Sequence, residues 1–257
     1  SLSRAAGDGH FFYDEGMMIY FVGNSFAPTH LKAAAIRRGL EMARSLNKAH
    51  LVFISQDTPI GDYGERILQP IKDLIADTRE KTDGVMVLSS QVPPGFTRAL
   101  RMDIYHMAET LRVKDAAHRA FAPEQFIIGC KDSRETLPQV LLTYLDAFHC
   151  PIHQVSWEEA EFSKIAINMT LAAQVDNTNR LNEACKRLSI RWPVIADILR
   201  HDNRIGPDSY LVPGDWRDSK HLLRDAHALA DLVPEAISRV AGRITIPTFR
   251  WGGTRLG

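Results

Sequence analysis

The stretch MIYFVGNSFAPTHL, from Met18 to Leu31, joins a short apolar run to a glycine turn and then to the start of a helical pattern. A strand that passes through a tight turn into a helix is the building unit of a parallel α/β sheet. Similar apolar runs recur along the first half of the chain, at Leu51–Ser55, Val85–Ser89, Phe126–Ile128 and Pro151–Val155. Together with Met18–Val22, they predict an α/β fold built on a parallel, Rossmann-like sheet.

Amphipathic stretches separate these runs and predict helices at Thr29–Leu46, Pro70–Thr82 and Leu137–Phe148. After the last strand signal, a long helix is predicted over Trp157–Leu188, with Ser156 as N-cap and Glu159 three residues later. Helical signals return at Pro193–Arg200 and again from Leu222 into the 230s. The predicted organisation is a sheet domain over residues 1–155, a helical domain over 156–240 and a tail over 241–257.

Composition excludes several classes of protein. The 257 residues are 45% hydrophobic and 24% charged, and the formal net charge is zero, so neither nucleic acid nor a membrane surface is an expected partner. No apolar run approaches the ~20 residues that a membrane span needs. Cys130, Cys150 and Cys185 lack metal-type spacing, which predicts buried thiols in a reducing cytoplasm and no metal site. Arg37 and Arg38 are interpreted as a solvated helix face.

A later stretch, RIGPDSYLVPGDWRDSKHLLRD from Arg204 to Asp225, resembles the active-site loop of the UDP-glucose/GDP-mannose 6-dehydrogenase family, roughly RIGxxYLxPGxGxGGSCxxKD. With one extra residue allowed after Gly206, the matching positions are Arg204, Ile205, Gly206, Tyr210, Pro213, Gly214 and Asp225. Counting back from Asp225, the position of the family's nucleophilic cysteine holds His221. This loop therefore resembles the family except at the nucleophile.

Four more segments resemble the family in the family's own order. HLVFISQDTP (His50–Pro59) is similar to its strand with a TP turn, and VMVLSSQVPPGFT (Val85–Thr97) to its STVPPGT loop. Ala108–Gly129 is similar to PEFLREGxAxxDFxxPDRIVIG, and Ala160–Leu188 to the AExxKYxxNxxLA helix. The series covers roughly residues 50–232, which makes chance agreement improbable.

The resemblance implies an NAD-dependent nucleotide-sugar dehydrogenase of polysaccharide biosynthesis that forms a homodimer through the long helix, with Arg204 reaching the neighbouring subunit's site. The family oxidises an alcohol twice, and its thiol carries the second oxidation through a thiohemiacetal and a thioester. An imidazole cannot form these adducts. The leading interpretation is a divergent dehydrogenase limited to one oxidation. The alternative is a non-catalytic paralogue that binds a sugar nucleotide or a partner enzyme.

For the cofactor, the resemblance implies that NAD is bound by Gly23, Ser25, Thr58, Ser90 and Gln91. The turn Gly23–Pro28 is the best candidate for the family's G-x-G-x-x-G loop, with Ser25 and Pro28 in place of two glycines. The family's second strand, with its ribose-binding acid, is not recognisable between Leu40 and His50. Residues 1–16 also resemble a family segment that precedes a later helix. Both resemblances cannot hold in family order, and local signals favour the strand–turn–helix interpretation.

Lys164 and Asn168 lie on one helix face with Glu161, because the three are spaced three and four residues apart. A lysine in such a helix is usually solvated, but the family motif implies that Lys164 and Asn168 donate hydrogen bonds to the oxygen that becomes negative during hydride transfer. Glu161 is expected to serve the helix N-terminus or to make a structural hydrogen bond.

Glu109 aligns with a family glutamate that acts on the substrate, although an exposed helix-start carboxylate is the ordinary alternative. Arg112 is expected either to bind substrate phosphate or to pair on the surface. Arg204 and Tyr210 are the other implied substrate contacts.

His221 and Asp225 are four residues apart, so on a helix the carboxylate could reach the imidazole and fix its tautomer. The alternative is that His221 is a neutral substitution in a dead site.

Overall fold

The computed structural model describes residues 16–61 and 66–232, in two compact units. The first unit contains the described residues up to Thr58 together with Ile67–Glu161. The second contains the described part of Pro59–Arg66 and the described residues from Phe162 onward. The resemblance of residues 1–16 to a family segment, the tail 241–257 and the helical pattern beyond Leu232 lie outside the described residues.

A seven-stranded sheet forms the first unit. Its strands are β1 (Met18–Val22), β2 (Glu41–Met42), β3 (Leu51–Ile54), β4 (Val85–Leu88), β5 (Tyr105–Met107), β6 (Phe126–Cys130) and β7 (Ile152–Ser156). The strand order is β2-β1-β3-β4-β5-β6-β7, and every neighbouring pair is parallel except the antiparallel pair β5–β6. The predicted α/β fold is confirmed, but the sheet is not wholly parallel as expected, because β6 and β7 run opposite to the other five strands.

Helices flank this sheet at α1 (Phe26–Arg37), α2 (Gln69–Lys81), α3 (Phe96–Ala99), α4 (Ala116–Phe121) and α5 (Gln139–Asp146). Two apolar clusters fill the unit. One surrounds Phe53, Tyr144 and Leu145, and the other surrounds Val52, Ile71 and Met86. Phe53 and Val52 are neighbours on β3, so they point to opposite faces of the sheet. The four residues of β3 are all fully buried, as expected for a central strand covered on both faces.

The predicted helix Thr29–Leu46 is wrong beyond Arg37. Gly39 adopts φ +81°, and its N–H donates to the carbonyl of Ile36. The N–H of buried Leu40 donates to the carbonyl of Ala35. This is a Schellman ending, which a glycine accommodates without strain. The chain then forms β2 at the edge of the sheet, beside β1. The periodicity of residues 29–46 could not reveal this stop because the glycine lies inside an otherwise helical pattern.

Arg37 and Arg38 are not a simple solvated face. Nη2 of Arg38 donates to the carbonyl of Phe121 at 2.7 Å. The guanidinium carbons of Arg37 and Arg38 lie 4.0 and 4.2 Å from the centre of the Phe121 ring. The two arginines therefore link α1 to the end of α4 through cation–π contacts and two hydrogen bonds from Arg38 to the same carbonyl.

The second unit is helical. It contains most of α6 (Trp157–Arg187), α7 (Trp192–His201) and α8 (Lys220–Leu232). The start of α6 is the predicted capping box: the backbone N–H of Ser156 donates to the Glu159 carboxylate at 2.7 Å, and the Glu159 N–H reaches the Ser156 hydroxyl at 3.3 Å. Among the described residues, no helix is long and apolar enough to cross a membrane.

All three cysteines are free thiols. Cys130 and Cys185 are buried as predicted, whereas Cys150 is only partly buried. Burial raises the pKa of the Cys130 thiol to about 12, which makes it a poor nucleophile at neutral pH.

The buried side chain of His106 predicts a pH dependence of the free energy of unfolding. It lies on β5, is almost fully buried, and its Nδ1 has no hydrogen-bond partner among the described residues. Burial lowers its pKa to about 4. An unfolded histidine takes up a proton near pH 6.5, so the unfolded state gains protons first as the pH falls, and the free energy of unfolding should drop between about pH 6.5 and 4 by on the order of 3 kcal/mol.

Replacing His106 by Leu should flatten this slope in urea titrations at stepped pH. The matched substitution of exposed His118 on α4 should preserve it. An unchanged slope in His106→Leu would show that other groups cause the pH dependence.

Candidate functional site

The carboxyl ends of β1, β3 and β4 lie side by side in the first unit. Val22 pairs with Ile54, and Ile54 pairs with Leu88, so the turns that follow these strands meet at one edge of the sheet. Gly23, directly after β1, has φ +110°, and a Cβ on it would lie 1.9 Å from the carbonyl oxygen of Ser55. Only glycine fits this crossing, which brings the β1–α1 turn onto the end of β3.

The hydroxyl of Ser25 takes part in a chain of hydrogen bonds. Ser25 Oγ lies 2.6 Å from Ser55 Oγ, and Ser55 Oγ donates to the carbonyl of Ser89 at 3.3 Å. Because Ser55 uses its proton on Ser89, Ser25 must donate to Ser55. The Ser25 hydroxyl therefore presents lone pairs, and no proton, to anything bound above α1.

The other predicted cofactor residues build the neighbouring turns. Thr58 is buried and its hydroxyl donates to the carbonyl of Gln91 at 2.5 Å. The buried hydroxyl of Ser90 accepts from the N–H of Gln56 at 2.8 Å. Gly23, Ser25, Thr58, Ser90 and Gln91 are thus gathered at the same end of the sheet, where open α/β sheets bind their ligands.

The β1–α1 turn partly fits the diphosphate of a dinucleotide. It has the required strand–glycine–helix geometry, and the positive end of α1 faces the edge of the sheet. Three features reduce the number of donors: Pro28 lacks an N–H, the Ser25 hydroxyl donates to Ser55, and the Ser25 N–H points to the Ser55 carbonyl at 3.5 Å. Beyond β2 the chain continues as Ala43–Arg44, without a ribose-binding acid.

Glu109 and Arg112 lie in the turn after β5. Glu109 accepts a hydrogen bond from the N–H of Leu111 and lines a cavity of about 20 Å³ with Leu31 and Arg119. Arg112 forms an ion pair with Asp115, and the Arg112 hydrogen bond lowers the pKa of that carboxyl group. Of the two interpretations of Arg112, the structure shows the ion pair.

Glu161 has the structural role expected for it. Its carboxylate accepts from the N–H groups of Gly95 at 2.6 Å and Thr97 at 2.7 Å, at the start of α3. Burial raises its pKa, and the two amide hydrogen bonds partly offset that effect. Glu161 therefore ties the first turns of α6 to the Pro93–Gly95 loop.

In the second unit, side chains of α6 hold the segment that leads into α8. The backbone of Tyr210 donates to Gln174 at 3.1 Å and accepts from Thr178 at 2.9 Å. Asn179 binds both backbone groups of Gly214, at 2.6 and 2.9 Å. These contacts fix the loop on the helix by its backbone, whatever side chains the loop carries.

Asp225 is brought beside Asn168 by this arrangement. The Asp225 side chain is fully buried, and its Oδ2 accepts from Nδ2 of Asn168 at 2.6 Å. Its Oδ1 accepts from Nη2 of Arg66 at 3.1 Å, and Nε of Arg224 lies 3.8 Å from the same oxygen. Lys164 is half-buried one turn before Asn168 on α6.

His221 and Arg204 are exposed. α8 begins at Lys220, so His221 and Asp225 do lie four residues apart on one helix, as predicted, with His221 exposed and Asp225 buried. Arg204 pairs with Asp202 of its own chain at 2.7 Å, and this contact raises the pKa of Arg204. No cluster of His, Cys, Asp or Glu that could hold a metal ion occurs among the described residues.

Known proteins resemble the chain over these same segments. A model of the UDP-glucose/GDP-mannose dehydrogenase family, central domain, matches residues 158–241. UDP-glucose 6-dehydrogenase of Pseudomonas aeruginosa is 27% identical over 212 residues, which are 74% of this chain and 46% of that protein. UDP-glucose 6-dehydrogenase of Streptococcus pneumoniae is 25% identical over 54% of this chain and 41% of its own length.

Residues 158–241 thus match the central domain of this family, and the chain is similar to its members. Solved structures agree on the fold. A UDP-glucose dehydrogenase from Pyrobaculum islandicum aligns with a TM-score of 0.66 at 20% identity, over 87% of this chain and 65% of that one. A GDP-mannose dehydrogenase from Pseudomonas aeruginosa gives 0.61 at 19% identity, over 77% and 60%. The chain spans less than half the length of these two curated family relatives.

Arg66 is the site residue that the sequence interpretation missed. It follows the loop after the TP turn, and loops carry exposed arginines so often that its position gives no signal. Nothing in the family pattern marks it either. Its partner Asp225 is 159 residues away in the sequence, so only the tertiary structure pairs them.

The cofactor turn gives a direct prediction. We expect the dissociation constant of NAD for this chain to lie above the low-micromolar range. The reason is that neither the Ser25 hydroxyl nor Pro28 offers a hydrogen-bond donor to the diphosphate. Ser25→Gly removes the outward lone pairs and should tighten binding about threefold to tenfold by calorimetry.

Ser133→Gly, in an exposed turn of the same unit, serves as the matched control and should leave NAD affinity unchanged. Low-micromolar binding to the unmodified chain would show that this turn had been wrongly interpreted.

Proposed function

We propose that this protein oxidises the primary alcohol of a nucleotide sugar with NAD and does so without a thioester intermediate. One observation carries the proposal: Asn168 and Asp225, the family's positions on the central helix and active-site loop, form a buried hydrogen-bonded pair at 2.6 Å. Burying an amide and a carboxylate is unfavourable unless both are paired, so their joint burial is a specific feature of the fold.

The first oxidation needs stabilisation of the alcohol oxygen as negative charge develops on it. A bound NAD would supply the acceptor for the hydride of the alcohol carbon, and the Asp225 carboxylate would take the hydroxyl proton. Asn168 uses one amide hydrogen on Asp225 and has a second for the substrate oxygen, while the ammonium of Lys164 supplies charge from the same helix face. Removing one fixed hydrogen-bond donor of this kind typically lowers kcat by about 10²–10³-fold.

The second oxidation is where the protein departs from its family. Oxidising an aldehyde requires either a covalent thiol adduct or an activated hydrate. With His221 at the cysteine position, the available chemistry is deprotonation of water or of the hydrate, with Asp225 orienting the imidazole. Each oxygen of Asp225 has two acceptor sites, so the carboxylate can accept from His221 in addition to Asn168 and Arg66. The expected outcome is an aldehyde product or a slow acid-forming step.

The first unit is assigned to the cofactor and to part of the substrate. Gly23 and Ser25 would lie against the diphosphate, and Thr58, Ser90 and Gln91 would shape the same end of the sheet. Glu109 is assigned to substrate and Arg112 to substrate phosphate, for which the Arg112–Asp115 pair would have to open. Arg204 and Tyr210 are the substrate residues of the second unit.

We also propose a homodimer formed through α6 and located in the cytoplasm. The second unit exposes Phe162 and Leu181 on α6 and Leu188 directly after its end, and Leu188 is 69% exposed. In a dimer through this helix, these side chains would be buried and contribute apolar area to the interface. In that assembly Arg204, which extends into solvent beside Asp202, would reach the neighbouring site. The three free thiols are consistent with a reducing compartment.

The runner-up function is a non-catalytic paralogue that binds a sugar nucleotide or a partner enzyme. The ion pair between Arg66 and Asp225 favours it, because a paired carboxylate is less available for acid–base work. The small number of hydrogen-bond donors in the β1–α1 turn also favours the non-catalytic alternative.

The stopping point of the reaction tests the leading proposal. The chain is incubated with UDP-glucose and a panel of sugar nucleotides, NADH is counted per substrate consumed, and the product is quenched with hydroxylamine. We expect an aldehyde oxime, or slow acid formation without a hydroxamate. A covalent adduct on Cys130, Cys150 or Cys185 would refute the mechanism, and complete inactivity would favour the non-catalytic alternative.

Restoring the thiol is a complementary test. His221→Cys should give a two-step oxidation with two NADH per sugar if the scaffold is intact. His221→Ala provides the control, since it removes the imidazole without adding a nucleophile. Identical stoichiometry in both variants would mean that the surrounding site is no longer competent for the second step.

The dimer is tested by sedimentation. At micromolar concentration we expect a dimer that Leu181→Glu weakens, because a charge would be buried in the interface. The matched control Glu183→Lys changes charge at an exposed site on the same helix and should leave the dimer intact. A monomeric wild type would contradict the interface and the role of Arg204 together.

A further inference from the structure

Asp225 is a buried charge whose environment is cationic. The carboxylate has no solvent exposure, and the side chains of Arg66 and Arg224 beside it are 7% and 8% exposed. A carboxylate cannot be buried in ionised form unless charge and hydrogen bonds compensate it. Arg66 supplies both, through Nη2 at 3.1 Å from Oδ1.

The two oxygens of the carboxylate are divided between two donors. Asn168 occupies Oδ2 at 2.6 Å, and Arg66 occupies Oδ1. We propose that Arg66 is a positioning residue that acts on the reaction through Asp225: it holds the carboxylate in a fixed orientation, and the carboxylate in turn fixes the amide of Asn168. The catalytic part of this inference rests on the proposed function, whereas the physical coupling does not.

The coupling follows from the chemistry of the groups. An ionised carboxylate only accepts hydrogen bonds, so Asn168 must turn Nδ2, and not Oδ1, toward it. The second Nδ2 hydrogen then has a fixed direction. If Asp225 were protonated, its O–H could donate and the amide could flip, presenting Oδ1 to Asp225 and losing the fixed N–H. The hydrogen bond from Arg66 opposes that flip, because it holds Oδ1 of Asp225 as an acceptor.

Arg66 is suited to this role by its position and by its chemistry. Its guanidinium carries a permanent charge and a rigid set of donors, so it can compensate a buried carboxylate with a defined geometry. Arg224 lies farther away, with Nε 3.8 Å from Oδ1, and contributes charge at longer range. Arg66 also forms a β-bridge with Ile60, which holds its backbone.

The coupling is measured on the side-chain amide of Asn168, without any ligand. Protein labelled with ¹⁵N-asparagine gives the Asn168 Nδ2 signals, assigned by their loss in Asn168→Asp. We expect one Nδ2 hydrogen to be shifted downfield and protected from exchange in the wild type. Arg66→Met should increase the exchange rate of this hydrogen at least about tenfold. Arg187→Met, on an exposed arginine paired with Glu183 on α6, should leave it unchanged.

A double substitution keeps the test decisive if Arg66→Met fails to fold. The double variant, Arg66→Met with Asp225→Asn, removes both of these buried charges. Its Asn168 exchange rate is compared with that of Asp225→Asn alone. Because Arg66 acts only through Asp225, adding Arg66→Met should change the Asn168 exchange rate no further. Additive losses, or Asn168 signals in Arg66→Met that match the wild type, would overturn the proposal.

Turnover supplies the catalytic readout, with UDP-glucose as the probe. Arg66→Met should lower kcat about 10- to 100-fold with KM changed by less than about threefold, since the lost contact acts in the transition state. Guanidinium chloride at low millimolar concentration should partly restore kcat in Arg66→Gly, and sodium chloride at equal ionic strength should not.

These outcomes separate the two ideas. An inactive wild type whose Asn168 amide responds to Arg66→Met would refute the proposed function and leave the coupling standing. An active wild type whose kcat and Asn168 signals are both indifferent to Arg66→Met would refute the coupling and leave the function standing.

Discussion

The second unit depends on the requirement that a buried carboxylate be neutralised. Asp225 has no access to solvent, so its two oxygens must be satisfied by protein groups. Asn168 on α6 and Arg66 from the segment after β3 meet that requirement, and each comes from a different part of the chain. The buried carboxylate therefore requires α6, α8 and the Arg66 segment to lie next to one another.

A comparable constraint shapes the first unit at the ends of β1 and β3. The backbone crosses so closely at Gly23 that a side chain there would collide with the Ser55 carbonyl. That approach places Ser25 within hydrogen-bonding distance of Ser55 and links the ends of β1, β3 and β4 through hydroxyl groups. The geometry of a diphosphate turn is thus kept while its donors are directed inward.

Much of the fold could be predicted because its signals are local. Apolar runs marked β1, β3, β4, β6 and β7, and periodicity with a capping box marked α6. The errors arose where distant packing decides. β5 is three residues long and antiparallel to β6, and β2 has two residues and exists only because β1 lies beside it. Arg37 and Arg38 look solvated on a helical wheel, yet both contact the Phe121 ring of α4, and Arg38 is partly buried there.

By itself, the sequence determined the fold class, the long helix and the family resemblance, because strand and helix periods and spaced motifs are written in consecutive residues. It also placed Asn168 and Asp225 among the candidates for chemistry. Only the tertiary structure decided that these two residues share a hydrogen bond, that Glu161 caps α3, and that Arg66 neutralises Asp225. Such pairings join residues dozens to more than a hundred positions apart, and they are fixed by which buried polar groups must satisfy one another, a condition that no local pattern records.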